Sequence, residues 1–333
     1  MYDRFDDLRV VSNDLSDAPG LTVTGLVRNE MYFLPAFLAH YRRLGAERFI
    51  LLNDRSDDGT AEFLARQGDV MVVESGHRYG DEVVPDDGPD AGTAFRMIHI
   101  WKTLLLRKYC AGSWAFSVDA DEFVVLPPGM SVRDLARTAG RRPERALFGL
   151  MIDVYPERID DLREDRPFDP ESGWYFDGVA HYRADGERLA QMYSGSRARL
   201  FAQYGLRRMS LKNRIRNCVW RPNYPNANLI NKPIFLNWTE DDIFHNSHRT
   251  TLSVNPTIIL PIKHFKFVPD LYRRAATAVR EGQYYQKSEG YLSLSEVLRR
   301  MEMNGGSFRC GMSKPAKGYS AFASTQNAMI PGT

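Results

Sequence analysis

A chain of 333 residues with 43% hydrophobic and 26% charged side chains has the make-up of a globular protein with a substantial core, which excludes a fibre or a disordered chain. Lys and Arg number 44 against 42 Asp and Glu, and the net charge of +2 gives no footprint for a nucleic-acid binder. No run approaches the roughly 18 consecutive apolar residues of a membrane span, the first residues are acidic where a secretory leader is basic, and three scattered cysteines (Cys110, Cys218, Cys310) fit neither a disulfide framework nor a zinc site, so a cytoplasmic setting is expected.

Residues 1–20 are polar, end at Pro19-Gly20 and read as an N-terminal arm, loose or docked. Leu21–Val27 is a short β-branched run that reads as a strand. Phe33, Leu34, Phe37, Leu38, Tyr41 and Leu44 then recur at helical spacing until Gly45. Phe49–Leu52 is a second strand, Ala61–Ala65 opens a short helix, Val70–Val73 is a third strand and Ala94–Tyr109 a long helix. Trp114–Val118 is a fourth strand, running into Asp119-Ala120-Asp121-Glu122. This alternation predicts a parallel, doubly wound sheet, with ligands beyond the carboxyl ends of its strands.

After residue 150 the rhythm breaks. Residues 21–150 and 151–290 read as two halves, and 291–333 as a helix followed by a flexible tail. Arg207, Arg208, Lys212, Arg214, Arg216 and Arg221, with Trp220 and Tyr224 behind them, form a basic stretch. It suits an anionic acceptor or peripheral contact with a membrane surface, and equally a solvated loop. In the apolar run Ile258–Phe267, extended backbone turns Phe265 and Phe267 to the core and His264 and Lys266 together to the other side.

The predicted strand ends are polar or acidic: Arg28-Asn29-Glu30, then Asn53 through Thr60, then the Asp-Ala-Asp-Glu run. So many carboxylates at one edge are costly unless a cation or a donor-rich ligand joins them. Asp119 and Asp121, two residues apart in extended chain, share a side and suit magnesium, manganese or calcium. Neither G-x-G-x-x-G, G-x-x-x-x-G-K-[ST] nor G-x-S-x-G is present. A calcium loop starting at Asp54 lacks its closing acid, because that position is Ala65.

Taken together, VRNE at Val27–Glu30, NDRSDDGT at Asn53–Thr60 and VDADEF at Val118–Phe123 resemble the successive motifs of GT-A glycosyltransferases, in their bacterial family 2-like branch. MIDVYPE (Met151–Glu157), SGSRARLF (Ser194–Phe201) and the HFKF block (His264–Phe267) extend the likeness over roughly residues 21–290. The resemblance implies an α/β fold with a mostly parallel, Rossmann-like sheet flanked by helices and an elaborated acceptor side. It also implies a nucleotide-diphosphate-sugar donor, usually a UDP-sugar, a glycan or lipid-linked acceptor, and Mn²⁺ or Mg²⁺. Asp119, Asp121 and His264 would be the metal ligands, with His248 the second choice of imidazole. Val27, Arg28, Glu30, Asn53, Asp54, Asp58, Arg96, Asp119 and Ala120 would meet the donor, and Lys266 its diphosphate. An inverting transfer needs a base. Asp241, in Thr239-Glu240-Asp241, is the first candidate, Asp153 the second and Asp177 the third. A sugar nucleotidyltransferase, or a nucleotide-sugar or carbohydrate-binding protein without turnover, is the alternative.

Overall fold

The computed structural model describes residues 5–84, 92–163, 166–185, 188–191, 195–205, 230–281 and 289–330. The basic stretch 207–221 lies outside them. The strands, in chain order, are β1 (Arg9–Ser12), β2 (Thr22–Val27), β3 (Arg48–Asn53), β4 (Val70–Glu74), β5 (Glu82–Val83), β6 (Phe95–Arg96), β7 (Trp114–Ser117), β8 (Glu122–Val124) and β9 (Ala146–Asp153). They continue with β10 (Tyr175–Asp177), β11 (Tyr182–Asp185), β12 (Arg188–Gln191), β13 (Asn231–Asn237), β14 (Phe244–Asn246), β15 (Arg249–Thr250), β16 (Val254–His264) and β17 (Ser313–Pro315). The helices are α1 (Leu34–Leu44), α2 (Thr60–Ala65), α3 (Met97–Cys110), α4 (Val132–Ala139), α5 (Ser196–Gln203), α6 (Leu271–Glu281), α7 (Glu289–Met303) and α8 (Gly318–Ala323).

The chain is α/β, with a large mixed sheet flanked by helices and ordered β1-β4-β3-β2-β7-β13-β9-β16-β8. β2 pairs in parallel with β3 and β7, and β3 in parallel with β4. Every residue of β2 and β3 is buried, which is why their apolar runs are continuous rather than alternating. The expectation of a parallel sheet needs one correction: β1 lies antiparallel on β4, and β13 antiparallel on β7. The N-terminal arm is therefore docked. Asn13 fastens it, donating from Nδ2 to the carbonyls of Gln67 (2.9 Å) and Val70 (3.0 Å).

Helix α1 ends where its sequence says, because Gly45 takes φ +98° and its N–H closes on the Arg42 carbonyl. Helix α3 starts later than the apolar spacing suggests, since Phe95 and Arg96 are drawn into a β5–β6 hairpin. Its Trp101, Leu104 and Leu105 pack with Ile50, Leu52, Met71 and Val73.

The chain divides into two units that interleave along the sequence instead of dividing near residue 150. Unit 1 holds residues 1–121, 129–148 and 233–255; unit 2 holds 122–128, 149–232 and 256–333. The chain first passes from one unit to the other between Asp121 and Glu122. In unit 2, Tyr155, Leu200, Phe267, Leu298 and Phe308 share one core. Residues 305–330 belong to that unit's packing and are not a loose tail: Phe308 is fully buried and Phe322 lies 4.8 Å from Phe176, ring to ring. Asn327 accepts the His181 N–H (2.8 Å) and donates to the Val179 carbonyl (2.7 Å). Among the described residues no helix is long and apolar enough to cross a membrane.

Candidate functional site

In unit 1 the ends of β3, β2 and β7 fall together because these strands pair in parallel. Asn53 stands opposite Val27 at the ends of β3 and β2. Its Nδ2 donates to Glu74 (3.0 Å) and its Oδ1 accepts the Ser56 N–H (3.2 Å). Asp54 is buried. It accepts from Arg78 Nε (3.1 Å) and from the Tyr79 N–H (3.2 Å), and pairs with Arg28 at 3.6 Å. Arg96 stacks its guanidinium over the Tyr79 ring at 5.8 Å. Val27 and Ala120 are buried and can offer a ligand only backbone groups.

The VRNE and NDRSDDGT loops are laced together. Asn29 exchanges two hydrogen bonds with Asp57 (2.7 and 2.8 Å), and the Glu30 N–H donates to Thr60 Oγ1 (3.1 Å). Asp58 accepts from the N–H groups of Met31 (3.1 Å) and Thr60 (3.0 Å). These bonds fix both loops and engage both oxygens of Asp58, a residue expected on the donor. Asn29 (φ +55°) and Arg55 (φ +53°) take the left-handed conformation, which is costly for a residue with a side chain and is held here by the lacing.

Beyond β7, Asp119 has a side chain 43% exposed and meets Lys102 Nζ at 3.0 Å, whereas Lys102 itself is 3% exposed on α3. One turn earlier, burial and the positive charges of Lys102, Arg96 and His248 push the His99 pKa down to about 4, so its imidazole is neutral at pH 7. Asp121 is buried. Gly25 governs how β2 meets this segment, since a Cβ there would lie 2.7 Å from the Val118 carbonyl oxygen. Gly25→Ala should therefore displace the backbone leading into Asp119 and destabilise by about 1–3 kcal/mol. Urea unfolding of the variant measures this, and an unchanged midpoint would refute it.

Asp241 is exposed in the turn after β13, and its neighbour Asp242 is the buried acid. Asp242 accepts from Nη1 and Nη2 of Arg145 (2.6 and 2.9 Å), and from the Thr239 N–H (2.8 Å) and hydroxyl (2.7 Å). Burial would raise its pKa, but these partners hold it below the usual carboxylate range.

In unit 2, β16 pairs antiparallel with β8 and sets His264 opposite Glu122, the residue that follows Asp121 in the chain. Glu122 is buried against Lys232 Nζ at 2.9 and 2.8 Å. His264 is buried and its Nδ1 lies 2.6 Å from Asp153 Oδ1; Arg197 Nε donates to the other oxygen at 2.7 Å. Burial alone would raise the Asp153 pKa, yet Arg197 and His264 hold it well below the usual range. Phe265 and Phe267 are fully buried, as extended chain requires, and Lys266 Nζ sits 5.5 Å over the Tyr291 ring. Asp177 is buried among Tyr155 OH (2.6 Å), Arg199 Nε (2.8 Å) and Arg199 Nη2 (3.1 Å).

The cost of crowded carboxylates is thus met largely from within the chain: Arg28 and Arg78 on Asp54, Lys102 on Asp119, Lys232 on Glu122 and Arg197 on Asp153. Sequence reasoning missed the burial of Lys102 and Lys232. The signal for Lys102 was a single cation on the apolar face formed by Ile98, Trp101 and Leu105.

No protein-family model matches this chain, and no curated protein does. Among the described residues no group of three or more His, Cys, Asp or Glu side chains stands ready to hold a metal ion. The donor set nonetheless fits Mg²⁺ or Mn²⁺, which use one or two protein carboxylates and complete their shell with water and substrate phosphate. Asp119 and Asp121 are such a pair of hard oxygen donors.

Proposed function

We propose that this chain is a GT-A type, metal-dependent glycosyltransferase that moves a sugar from a nucleoside-diphosphate donor, of the UDP class, to a glycan or lipid-linked hydroxyl. The observation carrying this reading is that β3, β2 and β7, parallel neighbours in unit 1, lead at their carboxyl ends into Asn53-Asp54, Arg28 and Asp119–Asp121. The crevice beyond such ends is where an open parallel sheet receives its ligand.

In this reading Asn53, Asp54 and Glu30 meet the base and ribose, while Arg28 and Arg96 lend positive charge toward the phosphates. Asp119 and Asp121 bind the divalent ion, with water and the donor's phosphates completing its shell. A bound ion would offset the charge that develops on the departing diphosphate. Asp241, being exposed, is open to an acceptor; Asp153, with one oxygen on Arg197 and the other on the His264 ring, is a poor base. The stretch 207–221 is the proposed contact with an anionic acceptor or membrane face.

Calorimetric titration with UDP, with and without Mn²⁺, tests the reading, followed by hydrolysis of a UDP-sugar panel. Asp121→Asn should weaken Mn²⁺-dependent UDP binding on the order of a hundredfold, about 2.7 kcal/mol. UDP affinity indifferent both to Mn²⁺ and to that substitution would overturn the metal assignment. Tight binding without any donor turnover would favour the binding-protein alternative.

A further inference from the structure

Resting on the nucleoside-diphosphate donor proposed above, we propose that Arg78 is a further residue that binds it: with Nε held on the buried Asp54 carboxylate, its guanidinium presents Nη1 and Nη2 as a fork to a phosphate group.

The residue stands where an open parallel sheet receives its ligand. β4 runs parallel to β3, so the loop that leaves β4 at Glu74 and carries Arg78 starts from the same edge as Asn53-Asp54. That loop is braced along its length. Asp7 of the docked arm accepts from Ser75 Oγ and from the Gly76 N–H, both at 2.6 Å. The Arg78 N–H donates to Asp81 Oδ2 (2.8 Å), and the Asp81 N–H returns to the Arg78 carbonyl (3.0 Å), which closes a turn. The Asp81 carbonyl takes the N–H of Met97, the first residue of α3, at 2.9 Å. Arg78 is thus fixed through its backbone as well as through Nε.

Asp54 itself is poorly placed to touch a ligand. Its side chain is 3% exposed, with Oδ1 on Arg78 Nε (3.1 Å), and Oδ2 on the Tyr79 N–H (3.2 Å) and 3.6 Å from Arg28. The expectation that Asp54 meets the nucleotide is thereby refined: it acts through Arg78, whose side chain is 27% exposed. Among the described residues Nη1 and Nη2 of Arg78 have no hydrogen-bond partner. These nitrogens only donate, so they call for an acceptor. Asp54 is one buried charge against two guanidinium groups, which favours an anion over a neutral carbonyl. Asp81, with its side chain 39% exposed and 3.8 Å from His77, is screened by water and offsets little of that surplus. A planar fork already pinned at Nε loses little freedom on taking a phosphate through two parallel N–H···O bonds.

The test is calorimetric titration of the full chain with UDP, uridine and inorganic pyrophosphate, in chelator and again with Mn²⁺. Arg78→Gln should weaken UDP and pyrophosphate binding about ten- to a hundredfold in both conditions and leave uridine unchanged. Arg78→Lys keeps the charge but cannot hold Asp54 and a phosphate at once, so it should still bind UDP about tenfold more weakly than the wild type. UDP bound equally tightly by Arg78→Gln and the wild type would overturn this inference alone. A loss that appears equally with uridine would also overturn it, by placing Arg78 on the base. A wild type that binds UDP in neither condition overturns the donor reading together with the inference. Should Arg78→Gln fail to fold, Arg78→Lys, which leaves Asp54 a cation, decides the matter.

Discussion

Replacing Lys232 with Met should destabilise the protein by about 3–5 kcal/mol, the range for removing one partner of a buried ion pair. Lys232 Nζ bonds both oxygens of Glu122, and the two side chains are 3% and 2% exposed. Once the ammonium is gone, Glu122 keeps a charge that water cannot reach. The cost comes from this stranded charge and not from the worth of the pair, so Lys232→Met with Glu122→Met should recover most of the loss. Urea unfolding of both single variants and the double variant closes the cycle. A single variant within about 1 kcal/mol of wild type would contradict this account. Glu122 directly follows Asp121, so a loss of activity on changing Glu122 should track its loss of stability. The third acid of the Asp-Ala-Asp-Glu run is in this sense a fastener for β8 and not part of the proposed metal site.

The first half of the fold was legible because buried parallel strands leave continuous apolar runs and the intervening helices keep their own spacing. Strand β1 left no such trace: its Val10 and Val11 are exposed on an edge, and nothing alternates. Lys232, Pro233 and the asparagines at both ends disguised β13, whose apolar run is only Ile234–Leu236. Residues 305–330 hide their packing in a few irregularly placed apolar residues such as Phe308 and Phe322. In the candidate site, residue type singled out Asp54, Asp119 and Asp121, but the partners of Asp54 and Asp119 lie 17 to 26 residues away, beyond the reach of spacing arguments. Lys102 and Asp119 are 17 apart, and Lys232 and Glu122 are 110 apart. Asp242 was passed over in the sequence, although its spacing from Thr239 was a signal. Thr239 and Asp242 stand three apart, the spacing at which a threonine and an acid close a turn on each other's N–H and hydroxyl groups, so Asp242 is drawn in and Asp241 turns outward.

Lys102→Gln should tighten Mn²⁺ binding by about tenfold to a hundredfold, the opposite of what removing a site residue usually does. Its ammonium lies 3.0 Å from Asp119 Oδ1, and a divalent ion on the same carboxylate would share that space with a positive charge. At the few-ångström separation such sharing imposes, and at an effective dielectric between protein surface and water, the repulsion is about 1–3 kcal/mol. Removing the charge releases it. The same ammonium also favours an anionic diphosphate when no metal is present, so UDP affinity without Mn²⁺ should fall in the variant while Mn²⁺ affinity rises. Stability should change by about 1 kcal/mol or less, because Asp119 is 43% exposed and stays hydrated once its partner is gone. Here Lys102 parts company with Lys232: each is a buried lysine on a carboxylate, but only Lys232 leaves behind a carboxylate that water cannot reach. Calorimetry with Mn²⁺ alone, with UDP alone and with both resolves the two opposed shifts. Mn²⁺ affinity unchanged or weakened in Lys102→Gln would mean that Asp119 does not bind the ion and that Lys102 is simply its permanent counter-charge.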